Sequence, residues 1–193
     1  MMNSHSVKKT LSFLMALLLC PLAHADESVI RPEKILGVVT ADWNDDGHFD
    51  RAVLVESATE SDQADVLIYL SESFEKMRLA VNKKNIAWRG ALWGTLPAIE
   101  TTGQQSLVIA SANDSIGRNR WNQKITLVYR NNAFLVAGYT HSERDTLDPA
   151  FESDCDVNFL TGKGLKKGKP FTLDAKPIAL TEWSDANVPS ACQ

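Results

Sequence analysis

The segment from Asp42 to Asp50 places oxygen-bearing side chains at its first, third, fifth and ninth positions. The third and fifth residues are Asn44 and Asp46, and Gly47, the sixth, allows the chain to curl tightly. Several carboxylates crowded into one short loop repel one another unless a cation holds them. Because Ca²⁺ takes about six to eight oxygen ligands, the spacing predicts a calcium loop.

The sequence around this loop consists of short β-type segments separated by turn residues. Apolar runs at residues 34–41 and 51–56 flank the loop, and residues 65–70 form a continuous apolar run typical of a strand buried on both faces. Residues 71–84 fit both a helical face and strand alternation, and we interpret them as a strand. The loop is therefore expected to connect two strands.

The second half of the chain contains the clearest hairpin signal. Residues 124–130 alternate between apolar and polar, Asn131-Asn132 tolerates positive φ, and residues 133–139 return as the partner strand. Further strands are predicted at residues 156–161 and 177–181. The pattern predicts an all-β fold of antiparallel meander sheets, either propeller-blade-like or a sandwich.

Residues 1–25 carry the features of a secretory signal peptide. Two lysines precede an apolar core at residues 11–19, and residues 23–25 form a small-residue cleavage site. A membrane anchor is disfavoured because the apolar run is shorter than the roughly 20 residues of a spanning helix. A lipoprotein is disfavoured because no small residue precedes the leader cysteine. We expect residues 26–193 to form a single periplasmic or secreted domain without an integral membrane segment.

Charge and cysteine content narrow the class of protein further. The chain has 20 basic and 24 acidic residues, and removing two leader lysines leaves 18 against 24, a formal charge of −6. Such a surface repels phosphate backbones, so nucleic acid is not an expected partner. Loss of the leader also leaves two cysteines, Cys155 and Cys192. In an exported chain these are predicted to form a disulfide, and they lack the C-x-x-C spacing of a redox pair.

Three known families of calcium loops have related spacings. EF-hand and dockerin-type loops need an acidic residue at the twelfth position, where this chain has Val53. The segment resembles instead the D-x-D-x-D-G-x-x-D loop of FG-GAP or VCBS-type repeats, in which a β-hairpin holds the ion; the likeness covers about residues 36–81. The phenylalanine-glycine opening of that repeat is absent. The resemblance implies an inward-pointing Phe49 and five ligands, namely the side chains of Asp42, Asn44, Asp46 and Asp50 and the main-chain carbonyl of His48.

Two other interpretations of the loop stay open at this stage. The Asp and Asn side chains would also be placed this way in an Asx-rich turn that caps its own backbone amides and faces solvent. A cluster of catalytic carboxylates is the third alternative.

A second group of residues is a candidate ligand-binding set. Arg118, Arg120 and Trp121 place two guanidinium groups beside an indole, which suits a carboxylate or a sugar acid. The alternative is that the arginines pair with nearby acids and the indole anchors the core. Trp88 and Trp93, each close to a glycine, suggest an aromatic groove, although indoles more often pack in a β core.

No catalytic constellation emerges from the sequence. Only His48 and His141 remain after leader removal, and no serine lies in a nucleophile elbow. We therefore expect a non-enzymatic, calcium-stabilised binding module for an envelope protein or a glycan. The alternatives are an inhibitor or immunity-type protein acting on an exported enzyme, and a hydrolase that uses the acidic loop.

Overall fold

The structure is a computed structural model that describes residues 30–90, 94–102 and 105–193. These residues form twelve β-strands and several single-turn 3-10 helices, which confirms the predicted all-β class. The expected signal peptide at residues 1–25 and Trp93 lie outside the described residues. Within the described ranges, no helix is both long enough and apolar enough to cross a membrane.

The first four strands form one antiparallel sheet in chain order. They are β1 (Ile35–Ala41), β2 (Asp50–Glu56), β3 (Gln63–Ser73) and β4 (Lys76–Trp88). Residues 64–68 of β3 are all buried, so the continuous apolar run does form a strand covered on both faces.

The interpretation of residues 71–84 as extended chain is confirmed, but the segment also contains a turn that the sequence did not reveal. β3 ends at Ser73 and β4 begins at Lys76, so the chain reverses at Phe74 and Glu75. Neither residue is a glycine, proline or asparagine, and the ring of Phe74 is almost fully exposed. The usual turn signal is therefore missing here.

The remaining strands form a larger antiparallel sheet, whose main path also follows chain order. Its members are β5 (Ala98–Thr101), β6 (Leu107–Asn113), β7 (Asn119–Arg130), β8 (Ala133–Asp145), β9 (Glu152–Asn158), β10 (Lys163–Lys166) and β11 (Lys169–Thr172). A two-residue strand, β12 (Ile178–Ala179), pairs with β8 beyond the end of β9.

The predicted hairpin is the pair β7 and β8. Asn131 and Asn132 form its tip with φ values of 52° and 60°, a conformation that asparagine tolerates better than most residues. The strand predicted at residues 156–161 is shifted: β9 ends at Asn158, because the side chain of Asn158 accepts the N–H groups of Leu160 and Thr161 and starts a turn. The strand predicted at residues 177–181 shortens to β12.

One hydrophobic core joins the two sheets. Leu54 and Ile68 from the first sheet and Ile109, Leu127 and Val136 from the second are all fully buried members of the same cluster. At the border between the sheets, a β-carbon on Gly37 would lie 2.9 Å from Cγ2 of Ile99, so β1 and β5 approach closely only because residue 37 has no side chain. This arrangement corresponds to the sandwich alternative.

The C-terminal segment covers part of this core. Leu180, Trp183 and Cys192 are buried in the cluster, and the Trp183 ring lies 5.9 Å from Tyr139 and 5.7 Å from Phe159. The predicted disulfide between Cys155 and Cys192 is present and joins β9 to the last turn of the chain. The tail is thus held at both ends, by β12 and by the disulfide.

We predict that replacing both cysteines (Cys155→Ala with Cys192→Ala) lowers the free energy of unfolding by about 2–4 kcal/mol. The bond closes a loop between residues 37 positions apart, which is worth roughly 4 kcal/mol in the chain-entropy model. Urea denaturation followed by tryptophan fluorescence measures the loss. Reduced wild-type protein should match the double variant, and equal midpoints for oxidised and reduced protein would contradict the prediction.

Candidate metal centre

The acidic loop lies between two paired strands. Ala41 at the end of β1 pairs with Asp50 at the start of β2, so the ends of the loop are fixed side by side. Within it, Asp45 and Gly47 have φ values of 60° and 84°, and these two left-handed residues give the tight curl that the spacing predicts.

Two of the carboxylates bind the backbone of the loop itself. Asp42 accepts the N–H of Asp46 at 3.1 Å and that of Gly47 at 2.8 Å, one on each oxygen. Asp46 accepts the N–H of His48 at 2.8 Å and the amide of Asn44 at 2.7 Å. The His48 N–H and, next, the Asn44 amide lower the pKa of Asp46, so this carboxyl is ionised at neutral pH.

The third carboxylate, Asp50, ties the loop to the body of the sheet. It is 0% exposed, and its two oxygens accept the N–H of Trp43 at 3.0 Å and of Ser71 at 2.9 Å. Burial raises the pKa of Asp50; the two N–H groups oppose that rise, and the charges of Asp46 and Asp42 add to it. The negative charges of the three carboxylates therefore act on one another within this loop.

The donor set fits a hard cation. A carboxylate oxygen has about two acceptor lone pairs, so an oxygen that accepts one N–H keeps a site for a metal ion. The residues that would hold Ca²⁺ are Asp42, Asn44, Asp46 and Asp50, with the carbonyl of His48 as the main-chain ligand.

The present side-chain arrangement is that of the Asx-turn interpretation. In the described part of the chain, no three His, Cys, Asp or Glu side chains are grouped closely enough to hold a metal ion. Asn44 turns its amide nitrogen toward Asp46, while its oxygen accepts the Asp46 N–H at 3.3 Å. Coordination would require the Asn44 amide to rotate so that its oxygen faces the ion.

The expectation of an inward Phe49 is wrong. Phe49 is 72% exposed, because successive residues of an extended segment point to opposite faces and Asp50 takes the inward position. Trp43 is the loop residue that enters the core instead: it is 4% exposed and meets Phe134 edge-on at 5.9 Å. The sequence could have indicated that Trp43 enters the core, because it is a large apolar side chain within a polar loop. No local pattern in the sequence links Ser71 to Asp50.

The structure does not bring all three residues of the candidate ligand-binding set, Arg118, Arg120 and Trp121, to one site. Arg118 pairs with Asp145 at 2.6 Å, which raises the pKa of the guanidinium and lowers that of the carboxyl. Arg120 donates to the carbonyl of Gly117. Trp121 meets Trp88 edge-on at 5.4 Å.

Arg120 and Trp121 also line one shallow cavity of about 80 Å³, which includes the acidic residues Asp114, Glu143 and Glu152. Arg118 does not line it. Only two of the three residues proposed from the sequence therefore share a surface.

We predict that Asp50→Ala destabilises the protein by about 2–5 kcal/mol even in the presence of a chelator. The substitution leaves the N–H groups of Trp43 and Ser71 without an acceptor, and each unsatisfied buried donor costs about 1–3 kcal/mol. Chemical denaturation in EDTA measures the loss. Asp45→Asn, a change in the exposed part of the same loop, is the control, and equal stability of the two variants would refute this role of Asp50.

A pH dependence follows from His141, which stacks on Trp121 and Tyr139 with centroid distances of 6.4 and 6.3 Å. Burial lowers the pKa of His141; Glu143 opposes the change and Lys166 adds to it. The unfolded state, with a pKa of about 6.5, therefore binds the proton first as pH falls.

We expect the free energy of unfolding to decrease from pH 7 to pH 5, and His141→Gln to flatten that decrease. Denaturation midpoints measured across this range provide the test. An identical pH profile for the variant and the wild type would contradict it.

Comparison with known proteins does not assign the chain to a family. No family model matches it, and neither a curated protein nor a solved structure matches it. The resemblance of the loop to FG-GAP or VCBS-type repeats stays a prediction from its own residues.

Proposed function

We propose that this protein is an exported, non-enzymatic binding module of the bacterial envelope whose fold is stabilised by calcium in the 42–50 loop. The observation that carries the proposal is that one short loop, closed by paired strands, carries Asp42, Asp46 and the buried Asp50, and that the charges of Asp46 and Asp42 raise the pKa of Asp50. A divalent cation offsets the repulsion among these carboxylates.

The metal has a structural role in this proposal. Asp50 links the loop to Ser71 at the end of β3, so an ion held by Asp50 stabilises the end of the first sheet. We expect a dissociation constant typical of extracellular modules, on the order of 10⁻⁴ to 10⁻³ M. Calcium at about 100 times that constant adds roughly 2.7 kcal/mol to the free energy of unfolding.

The pKa shifts and hydrogen bonds of the loop carboxylates favour cation binding over catalysis. A carboxyl that acts as general acid at neutral pH needs a pKa raised toward the working pH. The pKa of Asp46 is lowered instead. Burial raises the pKa of Asp50, but that carboxyl is 0% exposed and both of its oxygens already accept backbone N–H groups. These carboxylates suit a cation better than proton transfer.

The disulfide supports the proposed location. Cys155 and Cys192 form a structural bond that fastens the tail onto β9, and such bonds persist in oxidising compartments. Together with the leader expected at residues 1–25, this favours a periplasmic or secreted protein. Its partner in this proposal is an envelope protein or a glycan.

We predict that millimolar calcium raises the melting temperature of the purified exported protein by several degrees relative to EDTA. The shift follows from binding to the folded state only, and about 1 kcal/mol corresponds to roughly 2–4 °C for a chain of this size. Differential scanning calorimetry measures it, with magnesium as the comparison ion.

Matched variants separate this effect from general salt stabilisation. Asp46→Asn removes a ligand charge and should abolish the calcium shift. Asp45→Asn makes the same chemical change at a residue that is not a predicted ligand, and asparagine tolerates its φ of 60°, so the shift should persist. No calcium shift in the wild type, or an equal shift in both variants, would overturn the proposal.

A further inference from the structure

A polar trough crosses the outer face of the larger sheet. It has a volume of about 370 Å³ and spans β7, β8 and β9, at the lower end of the roughly 300–1,000 Å³ range of small-ligand sites. Its polar lining residues alternate with core residues such as Ile125 and Cys155, so they face away from the core. Val157, a core residue, also borders the trough. The lining includes Thr126, Arg130, Gly138, Thr140, Asp156 and Asn158.

The floor of the trough depends on Gly138. This residue pairs with Thr126 on one side and Asn158 on the other, and it has no side chain where its neighbours do. A β-carbon there would make ordinary contacts, 3.4 Å from the carbonyl oxygen of Val157 and 3.5 Å from Cβ of Thr126.

The backbone does not require glycine at this position. Gly138 is not among the glycines with positive φ, although a register shift between β7 and β8 lies beside it. Glycine inside a strand is destabilising relative to alanine, and it often marks a bulge or a place where a ligand or another backbone approaches closely.

The walls carry polar groups held in fixed orientations. Thr140 donates its hydroxyl hydrogen to one oxygen of Asp156 at 2.8 Å. The side-chain oxygen of Asn158 accepts two backbone N–H groups at 3.0 Å, so its amide nitrogen is directed elsewhere. Among the described residues, the second oxygen of Asp156 and the amide nitrogen of Asn158 have no protein partner and offer an acceptor and a donor to a ligand.

The lining indicates the class of ligand. Arg130 and Asp156 bring one charge of each sign, which favours a neutral molecule, and Val128, Ala137 and Leu160 supply aliphatic surface. A sugar presents hydroxyl groups at its edges and C–H groups on its faces, which matches such a mixture. An extended peptide cannot add to this face as a strand, because β8 is already paired with β7 and β9.

We propose that the trough binds a short segment of neutral glycan. The inference rests on the binding role proposed above and names its ligand class. The trough lies in the larger sheet, whereas the acidic loop lies in the smaller one, so glycan binding should persist in EDTA. A failure of calcium binding and a failure of glycan binding are therefore distinguishable.

The test is isothermal titration calorimetry of the exported protein with maltotriose, cellotriose and chitotriose, and with trigalacturonic acid as the charged comparison. We expect saturable binding of at least one neutral trisaccharide. Gly138→Ala, which raises the floor, and Asp156→Asn, which keeps an acceptor for Thr140, should each weaken that binding about tenfold, the loss expected for one good contact.

Asp154→Asn is the matched control, since Asp154 lies two residues away on the same face of β9 and does not line the trough. It should bind as the wild type does, and melting curves should show all three variants folded. The proposal is overturned if no neutral trisaccharide binds, if only the acidic one binds, or if Gly138→Ala binds as tightly as the wild type.

Discussion

The carboxylate of Asp50 is the point on which the arrangement of the first sheet depends. It is fully buried and receives one N–H from the loop, at Trp43, and one from β3, at Ser71. These bonds fix the start of β2 against its neighbours and let the Trp43 ring reach Phe134 in the core. Burial raises the pKa of this carboxyl and so opposes its ionised form, whereas a cation nearby would favour that form; this is the physical reason to expect one.

The larger sheet is stabilised in a different way. Its strands follow one another as a meander, and the last segment of the chain returns to cover the core at Leu180 and Trp183. The disulfide then fixes the tail to β9, the strand that also carries Asp156. The first sheet is therefore fixed by the hydrogen bonds of Asp50 and the larger sheet by the tail and its disulfide. The trough that we propose as a glycan site lies on the outer face of the larger sheet.

Most features predicted correctly from the sequence are encoded by neighbouring residues; the disulfide is the exception, because it followed from the two cysteines that remain after the expected leader. Asn131-Asn132 marked the hairpin, the apolar run at residues 65–70 marked a buried strand, and two remaining cysteines marked the disulfide. The spacing of the loop indicated its curl, but local alternation, which places Asp50 inward, reversed the expected orientation of Phe49.

Other features depend on residues far apart in the chain. Ser71 meets Asp50 across 21 positions, and the trough joins Thr126, Gly138 and Asp156 only after three strands have paired in register. Arg118, just before β7, meets Asp145, the last residue of β8, in the same way. Such contacts leave no periodic signal, which is why the sequence did not reveal them.

Trp43, inside the loop between β1 and β2, gives a direct test of the proposed calcium binding. Terbium replaces calcium at oxygen sites and emits when a nearby indole absorbs light. A terbium ion bound in this loop would therefore be sensitised by Trp43. We expect sensitised terbium emission that calcium competes away. The emission should be lost in Asp46→Asn and in Trp43→Phe and should persist in Asp45→Asn. Absence of sensitised emission from the wild-type protein, or emission that Asp46→Asn leaves unchanged, would contradict the proposed calcium binding.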